Sequence, residues 1–87
     1  MSPKEIALIE AGHRYRDVHR EWKSRDAAWK AEFPNEYEAW YNGVARGGKA
    51  VALFNLPNWQ RMVRAANDAE MEASGALREA AMGLPTP

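Results

Sequence analysis

The chain has 87 residues, twelve Lys and Arg against twelve Asp and Glu, zero formal net charge and no Cys. That length holds one domain with a small core and excludes a second. Charge neutrality excludes the global pull of a histone-like nucleic-acid binder, and the lack of Cys excludes a disulfide framework and a thiolate metal site. Hydrophobic residues make up 46% of the chain, but many are Ala, so the core has to come from four Trp, three Tyr, two Phe and the larger aliphatics. The opening MSPKE is followed by no apolar run suited to a secretory signal or a membrane span, which points to a cytoplasmic protein.

Ser2-Pro3-Lys4-Glu5 has the form of a helix start, with Ser2 as cap, Pro3 at the first helical position and Glu5 as the third residue of a capping box. Leu8, Tyr15, Trp22 and Trp29 then recur every seven residues, with Ala11 and Val18 between them. This apolar stripe predicts a long helix over residues 3–31. At about 100° per residue, His13, Arg16, Arg20, Lys23 and Lys30 fall on one flank of the stripe, while Glu10, Asp17 and Glu21 fall on the other. Arg16, Arg20 and Lys23 therefore form a candidate basic surface for an acidic partner, although like charges four apart weaken the isolated helix slightly.

Phe33-Pro34 ends that helix, because the residue before Pro is steered out of the α region, and Asn35 with Glu38 offers a new cap. Tyr37, Trp40, Tyr41 and Val44 lie at i, i+3, i+4 and i+7, which predicts a short aromatic helix over 35–45 folding back on Trp22 and Trp29. Asn42-Gly43 and Gly47-Gly48 interrupt it. Gly47-Gly48 is either a hairpin turn or a link into a short helix of residues 49–55. The helix is preferred, since an isolated two-stranded hairpin is marginal. Val51, Leu53, Phe54 and Leu56 read as apolar material closing one end of the core.

Residues 43–50, GVARGGKA, nearly match the phosphate-binding pattern G-x-x-x-x-G-K-[ST]. A P-loop needs a buried strand leading in and a metal-binding hydroxyl after the Lys. Here an aromatic helical segment leads in and Ala50 follows Lys49, so the match does not predict nucleotide hydrolysis.

Pro57-Asn58 opens the last helix, with Asn55 or Asn58 as cap. Trp59, Met62, Val63, Ala66, Ala69, Ala73, Leu77 and Ala80 carry an apolar stripe that predicts a helix over 58–82. Its seam of small residues suits close approach of the bulky first helix. Ser74-Gly75 marks a weak point, and Gly83, Pro85 and Pro87 leave residues 83–87 as a loose tail.

Catalytic and metal-binding groupings are absent from the pattern. His13 and His19 lie about 120° apart on a helix, Ser2 and Thr86 sit at the chain ends, and Glu36 and Glu38 diverge. No catalytic, cofactor or metal residues are assigned. Residues 39–67 contain no acid but carry Arg46, Lys49, Arg61 and Arg64 beside Trp40, Tyr41 and Trp59, aromatics expected to reach the surface.

The sequence thus predicts an all-α bundle of two long antiparallel helices, a short aromatic helix and a Gly-interrupted connector. The function expected is a non-catalytic protein-binding module that occupies a partner's acidic surface, in the manner of accessory or inhibitor proteins of phages and mobile elements. Nucleic-acid binding through segment 39–67 is the alternative, and the long stripe suggests a homodimer.

Overall fold

Ser2 holds an extended backbone, and its hydroxyl accepts the N–H of Glu5 at 3.2 Å, so the first helix, α1 (Pro3–Glu32), begins at the predicted cap. Glu5 turns back too, although its carboxylate accepts from the Ser2 hydroxyl rather than from the backbone N–H of a full capping box. This computed structural model describes residues 1–46 and 51–83. Among them are four α-helices and one 3-10 turn, and no strand.

At the other end of α1, Phe33 adopts φ −129° and ψ 62°, outside the helical region, as Pro34 requires of its predecessor. Helix α2 (Pro34–Arg46) starts at once, and the Phe33 carbonyl accepts the N–H groups of Glu36 and Tyr37 at 3.1 and 3.2 Å. The Asn35 cap expected from the sequence is therefore not used. Lys49 and the Gly47-Gly48 turn lie outside the described residues, as do residues 84–87 of the tail. A single 3-10 turn, Leu53–Asn55, leads into α3 (Pro57–Met62).

The last predicted helix is two. Val63, at φ −118° and ψ −31°, separates α3 from α4 (Arg64–Met82). Hydrogen bonding continues across the break, from Val63 N–H to Trp59 and from Asn67 N–H to Val63, so the chain bends rather than stops. The bend puts both Trp59 and Val63 fully inside, at 2% and 0% exposure. Ser74-Gly75 does not interrupt α4.

Helices α1 and α4 pack antiparallel, with Arg14 paired to Glu72 at 3.3 Å and Gly12 facing Leu77. Small residues of α4 lie inside this packing, with Ala66 and Ala73 buried. The core is concentrated at one end, where Trp29, Leu56, Trp59 and Val63 are enclosed by Trp22, Phe33, Tyr37, Trp40, Leu53 and Met62. Burying each of these four contributes about 2–3 kcal/mol. Phe54, expected to help close that end, is instead 53% exposed. The molecule measures 50 × 24 × 16 Å, with a radius of gyration of 16.8 Å against about 12 Å for a compact chain of this length.

Candidate functional site

Helix α3 begins without a side chain of its own to cap it, because Leu56 stands at the cap position and has no polar atom. The orphan donors are met from α2. Glu36 accepts the backbone N–H of Asn58 at 3.3 Å and of Trp59 at 3.2 Å, the Asn58 side-chain amide at 2.6 Å and the Trp29 indole N–H at 3.1 Å. One carboxylate thus ties α1, α2 and α3 together beneath the core. Burial alone would raise its pKa, but the hydrogen bonds from Trp29, Asn58 and Trp59 outweigh it and hold the carboxyl below its ordinary value.

This anchor alters the charge reading of residues 39–67. Glu36 lies outside that segment in sequence but against its Asn58 and Trp59 in space, and Asp68, one residue beyond it, approaches Arg64 at 4.0 Å. The segment has no acid in sequence, yet Glu36, Asp68 and, across a cavity lined by Trp40, Trp59 and Asn67, Asp26 stand beside it in the fold.

Arg61 and Arg64 are exposed, in the last turn of α3 and at the first residue of α4. The Arg61 guanidinium lies 5.9 Å from the Phe33 ring centre and that of Arg64 5.3 Å from Phe54. Phe54 in turn meets Trp59 edge to face at 5.5 Å. These contacts make a basic aromatic surface of two cations laid on two rings. Among the other predicted residues, Tyr41 is exposed and lies tilted against Tyr37 at 5.6 Å, while Trp40 is half-buried against the core. Trp59, expected at the surface, is buried, a correction that follows from the bend at Val63. Arg46 closes α2, and Lys49 lies outside the described residues. Arg16, Arg20 and Lys23 are exposed along α1, where Arg16 meets only the neighbouring Asp17, at 3.2 Å.

Behind that surface is a cavity of about 190 Å³ whose walls include all four tryptophans, Trp22, Trp29, Trp40 and Trp59. Asp26, Lys30 and Asn67 stand at its polar side. Sequence periodicity put Trp22 and Trp29 on the core stripe, but gave no sign that they border a space with Trp40 and Trp59. Asp26 and Lys30, i and i+4 on α1 and paired at 2.9 Å, were the available signal.

Farther along the α1–α4 seam, His19 lies between Tyr15 and Trp22, with ring centres at 5.4 and 5.5 Å. Its Nδ1 is 3.5 Å from Glu70, beyond good hydrogen-bond geometry. Partial burial, followed by the Glu70 carboxylate, pushes the Tyr15 phenol above its ordinary pKa. Among the described residues no three His, Asp or Glu side chains gather as a metal-ligand set, and no helix is long and apolar enough to cross a membrane. No protein-family model matches the chain, and comparison with curated proteins and with solved structures gives no match either.

Proposed function

We propose that the protein is a non-catalytic binding module that docks its basic aromatic surface on the acidic surface of a protein partner. The observation that supports this is the pairing of Arg61 with Phe33 and of Arg64 with Phe54, where Phe54 is 53% exposed and the Arg64–Asp68 contact is long and solvated. Arg and aromatic side chains dominate the energetics of protein interfaces. An Arg already laid on a ring loses less freedom when it binds a carboxylate. Trp40 and Tyr41 on α2 extend the proposed surface, Arg46 and Lys49 are assigned to it on sequence grounds alone, and Arg16, Arg20 and Lys23 on α1 form a second basic patch. The setting we favour is that of a small cytoplasmic accessory or inhibitor protein of a phage or mobile element, working by occupancy rather than by turnover; the cysteine-free composition fits a reducing compartment.

The second reading is nucleic-acid binding, favoured by the same two guanidinium groups and by Phe54 and Tyr41 as exposed rings for base stacking. Affinity capture from source-cell lysate, with and without nuclease, separates the two. The double variant Arg61→Glu with Arg64→Glu is expected to abolish nuclease-resistant capture while helicity and melting temperature stay close to wild type. Capture retained by that variant would move the interface to Arg16, Arg20 and Lys23. Capture lost on nuclease treatment, with affinity falling steeply as salt rises, would establish the nucleic-acid reading.

A further inference from the structure

The tryptophan cavity is built differently from a packing defect. Each indole that borders it is braced from outside by another ring: Trp22 by His19 at 5.5 Å, Trp29 by Tyr37 at 6.0 Å, Trp40 by Tyr37 at 6.1 Å and Trp59 by Phe54 at 5.5 Å. The walls are thus held in place by contacts that do not use the space between them. Only the Trp29 indole N–H is tied to a described residue, Glu36, at 3.1 Å. The cavity is open on one side, and its volume of about 190 Å³ leaves room for a single ring, since an enclosed cavity of about 150 Å³ with aliphatic and aromatic walls takes up benzene.

The polar side selects among rings. Asp26 is paired with Lys30 at 2.9 Å, and the Lys30 ammonium lies 5.1 Å from the Tyr37 ring centre. The carboxylate is therefore neutralised by a cation that the chain supplies itself. A cationic guest, which four indoles would otherwise attract, would have to sit beside that ammonium or displace it. What remains is an acceptor on Asp26, a donor on Lys30 and an amide with both functions on Asn67.

We propose that this cavity binds one flat, uncharged heteroaromatic ring with adjacent N–H and C=O groups, the chemistry of a pyrimidine base. The half-buried Trp22 and Trp40 indoles stack on its faces above a floor of the sealed Trp29 and Trp59, and Asp26, Lys30 and Asn67 read its edge. The site is independent of the Arg61 and Arg64 surface, so either can fail without the other.

The test is an NMR titration that follows the four indole N–H signals while uridine, a single-stranded oligouridylate or tetramethylammonium is added. Uridine is expected to move the Trp22 and Trp40 signals saturably in the millimolar range or below, and those of Trp59 and Trp29, sealed at 2% and 1% exposure, less. Equal affinity for the oligouridylate assigns a free ring as the guest, and tighter, salt-sensitive binding assigns a base within a strand. Substituting a cavity tryptophan risks unfolding, so the variants are taken from the rim. Asn67→Ala is expected to weaken uridine about tenfold, the worth of one hydrogen bond. Lys30→Met, which leaves Asp26 unpaired, is expected to make tetramethylammonium a ligand. No saturable shift with uridine, binding of tetramethylammonium to the wild type, or no change in either variant would overturn the proposal.

Discussion

Among single residues, Glu36 has the largest structural consequence and was the least visible in the sequence. It read as one of two diverging acids on a short helix, because its partners Asn58 and Trp59 lie more than twenty positions away and are brought to it only by folding. The sequence offered Asn55 or Asn58 as the cap of that helix, but Leu56 takes the cap position without a side-chain oxygen, so the acceptor comes from Glu36 instead. Glu36→Gln keeps the shape but removes the charge, and is expected to cost about 1–2 kcal/mol at pH 7, the difference between charged and neutral hydrogen bonds. The folded-state pKa is lowered from 4.5, so this contribution is fully present above that value and is lost as pH falls through the folded value. Urea midpoints of the two proteins should therefore lie apart at pH 7 and draw together as pH falls well below 4.5. A gap of constant size across that range would show that the charge is irrelevant.

For whole elements, the sequence was a better guide. Ser2, the heptad spacing from Leu8 to Trp29 and the Phe33-Pro34 stop place α1 to within a residue, since each is a local signal that no distant contact overrides. The bend at Val63 was not legible. No Pro or Gly marks it, and it is set by the pull of Trp59 and Val63 into the same core. Ser74-Gly75 gave the opposite error of emphasis, because Gly75 is helical and a β-carbon there would meet nothing within 4 Å. Gly75→Ala is accordingly expected to stabilise the fold by about 1 kcal/mol. That corresponds to a rise of roughly 4–8 °C in melting temperature by circular dichroism for a domain of this size. A fall would mean that the glycine serves a contact made only with a partner.

The molecule as a whole is longer and more exposed than its mass requires, with 6288 Å² of accessible surface against about 5,200 Å² for a compact monomer. Apolar side chains are exposed along the two-helix part of the rod. Ile6 and Ile9 near the start of α1 are 44% and 43% exposed, and Met71 and Met82 on α4 are 63% and 76% exposed. We propose on that ground a monomer–dimer equilibrium, which would cover apolar surface that one chain leaves in water. Sedimentation equilibrium across micromolar concentrations should show an average mass rising from 9.8 kDa toward twice that value, and a constant 9.8 kDa would exclude the dimer.

Because the four tryptophans surround one cavity, the light emitted by the protein's indoles originates from a single end of a rod 50 Å long. The opposite end, where Gly12 faces Leu77, is dark to indole emission. Fraying there would remove helicity and leave the emission unchanged. Two melting curves that disagree, one read from indole fluorescence and one from far-ultraviolet dichroism, would then report where along its length the rod comes apart first.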